Sequence, residues 1–183
     1  RMAEERIMAI FKEYGVETVR AATDKIVSST EKMVKEIIAK WPAGTYRAER
    51  CADTDGTSPE PVCVRLALTI KPEAGELIFD YSESDKQRDF VNSPLGNTYY
   101  GTVAGLSWCM PPIPRNQGLY NCVKVIVKDG TVLGPKYPAT CAAQATCLGT
   151  EIMEVVLCAL GQAIPKDTPA LWTRHCCPAY HGK

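Results

Sequence analysis

From Val62 to Lys71 the chain alternates without a break: Val62, Val64, Leu66, Leu68 and Ile70 take every second position, with Cys63, Arg65, Ala67, Thr69 and Lys71 between them. Side chains of a strand point alternately to opposite faces, so this run demands a strand with one face in a core and the other wet or half covered. A sheet is therefore obligatory. Lys71-Pro72-Glu73-Ala74-Gly75 turns the chain back into Glu76–Ser82, where Leu77, Phe79 and Tyr81 alternate with Ile78 and Asp80, which predicts an antiparallel hairpin. Thr45–Ala52 reads as a strand before it, separated by a loop rich in Asp, Gly, Ser and Pro over residues 53–61. Leu119–Val127 is a third strong strand pattern. It ends at Lys128-Asp129-Gly130-Thr131, where Asp-Gly predicts a hairpin that Val132 and Leu133 resume.

The other segments carry the helical period. Residues 1–14 show it in Met2, Ile7, Ile10 and Phe11, and Gly15 interrupts it. A longer helix over 16–40 has the stripe Val19, Ala22, Ile26, Met33, Val34, Ile37 and Ile38, and Pro42 and Gly44 stop it. Phe90–Gly118 is a central crossing element. Ser93 can cap a helix, Pro94 suits a first helical position, and Tyr99, Val103, Leu106 and Met110 form one buried face before Pro111, Pro112 and Pro114 forbid continuation. Thr150–Ala163 makes another apolar helix, closed by Pro165. The expected fold class is α+β, with mainly antiparallel strands at 45–52, 62–71, 76–82 and 119–127 and covering helices at 16–40, 94–110 and 150–163. At 183 residues this is one domain-sized unit, with residues 1–42 as a helical lead-in to 43–183. Both ends, Arg1 and the tail Leu171–Lys183, read as cut ends of something longer.

Lysine plus arginine and aspartate plus glutamate each number 21, so no net field draws the chain to nucleic acid or an anionic membrane. No apolar run approaches the roughly 20 residues of a spanning helix, and no signal-peptide core opens the chain, which predicts a cytoplasmic protein. The nine cysteines are odd in number, lie partly within apolar runs and form no Cys-x-x-Cys pair. They predict reduced, mostly buried thiols rather than a disulfide framework.

Walker, GxGxxG, HExxH and GxSxG sequences are all absent. His175-Cys176-Cys177-Pro178-Ala179-Tyr180-His181 is the one metal-like cluster, and adjacent cysteines reach a single tetrahedral ion poorly. Asp80, Glu83, Asp85 and Asp89 offer carboxylates for acid–base work, although loop acids more often cap turns or face water. Asn92, Ser93, Asn116 and Gln117 supply uncharged donors and acceptors at the two ends of the central stretch. If any residue here serves catalysis, Asp85, Asn92, Ser93 and Asn116 are the candidates.

Several blocks resemble the hydantoinase B family, which includes N-methylhydantoinase B subunits, the carboxy-terminal half of 5-oxoprolinases and the alpha-type subunits of acetone and acetophenone carboxylases. Tyr14–Val19 and Gly44–Glu49 are similar to that family's helix and following strand. Phe79-Asp80-Tyr81-Ser82-Glu83-Ser84-Asp85 with Gln87, Val91-Asn92-Ser93-Pro94-Leu95, and Ile113-Pro114-Arg115-Asn116-Gln117-Gly118 resemble three more blocks, in the family's order. Glu83 replaces a usual glycine and Lys86 a usual proline. Ala143–Thr150 departs from a Gly-Asn-x-Glu-Thr-Ser-Gln block, which counts against hydantoin or oxoproline cleavage and leaves a ketone carboxylase or an unknown relative open.

The resemblance implies an internal segment of a longer subunit, enzymatic only within an oligomeric, ATP-dependent complex, to which it contributes scaffold, interface and a wall of the substrate cavity. It implies a hydantoinase A-like partner subunit that binds ATP and magnesium, and a divalent metal held by His and Asp side chains of another part of the subunit. No catalytic, cofactor-binding or metal residue is carried over to this chain. A stand-alone, non-enzymatic interaction domain is the alternative, and a cysteine-based zinc or redox module a third reading.

Overall fold

The computed structural model describes residues 1–141 and 148–171. Four strands, β1 (Gly44–Ala52), β2 (Val62–Lys71), β3 (Glu76–Asp80) and β4 (Val123–Ile126), form one sheet in the order β1-β2-β3-β4. The helices are α1 (Met2–Tyr14), α2 (Val16–Ile38), α3 (Leu95–Trp108), the single turn α4 (Gln117–Tyr120) and α5 (Leu148–Ala163). The fold is α+β, as the alternation and the helical stripes predict. β1–β2 and β2–β3 pair antiparallel.

β3 and β4 pair parallel, with Leu77 opposite Val123 and Asp80 opposite Ile126. A parallel neighbour needs a crossover, and α3 with α4 supplies it. The central stretch thus crosses between two adjacent strands.

The alternation of β2 is realised in full. Val62, Val64, Leu66, Leu68 and Ile70 are buried against helices, together with Leu77, Phe79 and Tyr81 of the β3 segment. α5 covers β1 and β2, and α3 lies on α5. The α3–α5 approach depends on small residues: a Cβ at Gly105 would stand 2.9 Å from the carbonyl oxygen of Met153. Inside this layer the Tyr81 hydroxyl meets Thr102 Oγ1 at 2.8 Å, and Thr102 donates to the Thr98 carbonyl. Burial pushes the Tyr81 phenol far above its ordinary range, so it stays protonated.

Four expectations need correction. The strand predicted from Leu119 begins only at Val123, because Asn116 caps a helical turn through a hydrogen bond from the Gly118 N–H to its Oδ1 (2.8 Å), so Leu119 and Tyr120 are helical. Asp129-Gly130 does turn, with Gly130 at φ 78°, but the chain beyond it does not pair back on β4. Val132 hydrogen-bonds the 85–93 loop instead, donating to the Asp85 carbonyl and accepting from the Ser93 N–H. Ser93 is not the cap of α3: Pro94 is, without a side-chain bond, and Ser93 Oγ accepts from Asn97 Nδ2 (2.8 Å). Finally, Cys51 and Cys63 are joined in a disulfide, because the β1–β2 register sets them directly opposite. Cys109, Cys122, Cys141 and Cys158 are free thiols, the first two buried.

The stripe of α2 divides. Thr30, Val34 and Ile38 are buried, whereas Ala22 and Ile26 are exposed, because only the second half of the helix lies over α4 and the start of β3; Met33, within that second half, is exposed as well.

The loop after β1 is organised by Asp55, whose Oδ1 accepts from the Thr57 N–H (2.8 Å), the Ser58 N–H (2.7 Å) and the Thr57 hydroxyl (2.8 Å). These bonds lower its pKa from 3.8 to about 2. A depressed carboxylate stabilises fully above its unfolded pKa and loses that contribution as pH falls through the folded one. The Asp55 contribution is therefore complete above about pH 4 and gone below about pH 2. Thermal melts across this window should show a shallower acid limb in Asp55→Asn than in the parent. Identical limbs would refute the assignment.

Candidate functional site

β3 and β4 end together at Asp80 and Ile126, beside the start of β2, and the loops around residues 82–93 and 128–141 collect there. The ends of parallel strands are where α/β sheets most often bind ligands. Three of the four sequence candidates, Asp85, Asn92 and Ser93, lie in this loop cluster. Asn116 lies at the opposite end of the sheet, where the Leu77 N–H bonds the Cys122 carbonyl.

Ser84, Asp85 and Asn92 in the cluster are committed to backbone, whereas Glu83 pairs with Arg47 at 3.5 Å and Asp89 is exposed. Beyond the last β2–β3 pair, Ser84 and Asp85 take over from β3. Ser84 Oγ accepts from the Arg65 N–H (3.1 Å) and donates to the Arg65 carbonyl (3.2 Å), and Asp85 Oδ2 accepts from the Cys63 N–H (2.9 Å). Asp85 Oδ1 also takes the Arg65 guanidinium at 2.6 Å. Burial pushes the Asp85 carboxyl up, but the Cys63 N–H and the Arg65 charge outweigh it and hold the group below its ordinary value. A general acid needs the opposite shift. Asp85 is thus a brace for β2, and an ionised one.

Asn92 is fully buried. Its Oδ1 accepts from the Arg88 N–H (2.9 Å), and its Nδ2 donates to the carbonyls of Arg88 and Thr140, both at 2.7 Å. The side chain ties residue 88 to residue 140 beneath a cleft of about 290 Å³ lined by Gln87, Arg88, Asp89, Pro138, Ala139 and Thr140. Of its charged side chains Asp89 is exposed, while Arg88 is half-buried and donates to the Pro61 carbonyl at 2.9 Å.

Asn116 binds α2 rather than a ligand: its Nδ2 donates to Thr30 Oγ1 at 2.9 Å. Next to it Gly118 lies directly on the α2 backbone, where a Cβ would collide with the Val27 carbonyl oxygen. Asn121 Nδ2 adds a bond to Glu31 Oε2 at 2.8 Å. The Asn116–Gly118 block is a clasp on the second half of α2.

Sequence reasoning missed one pair at the loop end of the sheet. Glu154, 1% exposed on α5, accepts from Arg50 of β1 at 2.9 Å (Nε) and 2.7 Å (Nη2). Arg50 sits at an inward position of an otherwise modest strand, the one hint of a buried partner.

Among the described residues no other chemistry converges. Among the described residues, Glu49, Cys51 and Cys63 are the one group of three acids, cysteines or histidines within reach of a single ion. The two sulfurs are bonded to each other, which leaves one carboxylate, so these residues do not fit a divalent metal. The 175–181 cluster and the first part of the Ala143–Thr150 block lie outside the described residues. Burial raises the thiol pKa of Cys109, Cys122 and Cys158, away from what a nucleophile requires. Among the described residues no helix is long and apolar enough to cross a membrane.

This arrangement is an α+β unit in which Asp85, Asn92 and Asn116 are engaged with loops and helix junctions. The Hydantoinase B/oxoprolinase family profile matches residues 1–183, and the chain belongs to that family. It is 29% identical over 181 residues to a protein of Pseudomonas sp. (strain NS671) named as the B subunit of a D-/L-hydantoinase, covering 93% of this chain and 30% of that one. It is 26% identical over 174 residues to the beta chain of a caprolactamase from Pseudomonas jessenii, covering 93% and 29%.

Among solved structures, the ATP-dependent caprolactamase of Pseudomonas jessenii superposes with a TM-score of 0.81 over 91% of this chain and 29% of that chain, at 26% identity. An acetone carboxylase structure shares the fold at a TM-score of 0.60 and 15% identity, over 88% of this chain and 24% of that one. The chain spans about 30% of the length of the curated relatives it matches.

Proposed function

We propose that this chain is a segment of the hydantoinase B-like subunit of a cytoplasmic, ATP-dependent complex that opens a cyclic amide or carboxylates a ketone, and that its part is scaffold, subunit interface and cavity wall. The observation that carries this reading is the fate of the family blocks. Asp85, Asn92 and Asn116 each spend their side-chain atoms on backbone or on a neighbouring helix. Side chains so engaged hold backbone and helix junctions in place, which supports a structural part for them. ATP, its magnesium and the divalent metal then belong to a hydantoinase A-like partner and to the rest of the subunit. Among relatives, one is named a caprolactamase subunit, which supports cyclic amide opening; ketone carboxylation rests on the resemblance of the family blocks.

The test uses the full-length gene product co-expressed with a hydantoinase A-like ATP-binding subunit, assayed for ATP-dependent opening of lactams and hydantoins and for carboxylation of ketones. The complex should be active, and Asn92→Ala should lower its melting temperature while leaving kcat at low temperature within about threefold. A loss of kcat beyond about 100-fold, roughly 2.7 kcal/mol of barrier, at unchanged stability would make Asn92 catalytic and overturn the scaffold reading. Turnover by the 183-residue chain alone would overturn it too.

A further inference from the structure

α1 is a helix with no buried residue. Its only substantial neighbour among the described elements is α2. Ile7 and Met8 stand 51% and 58% exposed, and Ile10 and Tyr14 follow at helical spacing. Beyond the Gly15 break, Val16 and Ile26 in the first half of α2 are 42% and 58% exposed. More than half of the large apolar side chains exposed among the described residues belong to these two helices. A 13-residue helix is marginal in water by itself, and soluble monomers rarely leave a contiguous apolar patch of this kind uncovered.

On the reading that this chain is a segment of a longer subunit, we propose that this face is where the remaining polypeptide of that subunit docks, in cis. Three observations select this occupant. Relatives match over 91–93% of this chain yet are about three times as long, so subunits of this family carry a large mass of additional chain that must attach to the shared segment. The outward face of the sheet carries Arg47, Glu49, Arg65, Lys71 and Lys124, with Glu49 and Arg65 already paired, and suits water or a polar contact rather than a core. The helix pair also mixes both charge signs: Glu4, Glu5, Arg6, Lys12 and Glu13 on α1, and Glu17, Arg20, Asp24 and Lys25 on α2. That balance removes the basic face with which an amphipathic helix holds an anionic membrane. Covalent tethering adds an effective concentration in the millimolar range, which a separate copy lacks at cellular levels.

Hydrogen exchange tests this directly. Amides of residues 5–27 are compared in the 183-residue chain, in the full-length gene product, and in that product with its ATP-binding subunit. The expected result is fast exchange in the short chain and protection by about 100-fold or more in the full-length product alone. A paired variant, Ile10→Lys with Ile26→Lys, should abolish that protection in the full-length product and leave exchange of β2 amides in the short chain unchanged. Protection in the short chain, rising with its concentration, would show that a second copy covers the face and would overturn the proposal. Protection that arises only on adding the ATP-binding subunit would overturn it in favour of that partner. The intact mass of the natural product separates the two readings. A product of 183 residues ends the segment reading itself, whereas a longer product with α1 still unprotected ends only the docking.

Discussion

Gly118→Ala should destabilise the protein by about 3 kcal/mol, at the upper end of what overpacking costs. For a domain of this size that corresponds to a drop of about 6–12 °C in melting temperature. The cause is contact between backbones. A Cβ at residue 118 would collide with the Val27 carbonyl oxygen and lie 2.7 Å from the Glu31 amide nitrogen, and neither atom can move without bending α2. Relief would require α4 to lift away, breaking the Asn116–Thr30 and Asn121–Glu31 bonds together. Gly96→Ala, with open space around its Cβ, is the control and should melt within about 2 °C of the parent. Equal melting temperatures for the parent and Gly118→Ala would show that α4 does not rest on α2 in solution.

Arg50→Met should cost about 3–5 kcal/mol, because it takes the guanidinium away from a carboxylate that stays buried. Glu154 is 1% exposed and bound to Arg50 at 2.7 and 2.9 Å. Arg50 itself is 30% exposed, so its guanidinium can reach water when the carboxylate is removed. Glu154→Leu should therefore cost less than Arg50→Met, by about 1–2 kcal/mol, and the double variant should recover most of the loss. Urea unfolding of the four proteins gives the coupling. A loss in Arg50→Met below about 0.5 kcal/mol would place Glu154 in a solvated position and contradict the packing of α5 on β1.

Much of the fold was legible because it is written in short-range periods. The alternation of residues 62–70 declared both the strand and its buried face. The period in 150–163 and the prolines after Met110 located α5 and the end of α3. The family blocks were legible for the same reason, as strings of neighbouring residues. Their roles were not. Asp85 and Asn92 look like acid–base or polar site residues in a string, but as bonds they are splints for β2 and for the 88–140 junction. A string does not show which backbone atoms lie within 3 Å of a side chain.

What the sequence determined by itself, then, is the family, most of the elements and the inward face of β2, since each depends on residues within about one helical turn or one strand of each other. What only the tertiary structure decided is every relation across distance. It made β4 parallel to β3, set Cys51 opposite Cys63, brought Arg50 onto Glu154 and laid Gly118 on the α2 backbone. Asn116 and Thr30 are 86 residues apart in the chain, and no local pattern encodes a hydrogen bond over that separation. Local sterics and solvation write periods into a sequence, whereas register and close approach emerge only when the apolar faces share one core.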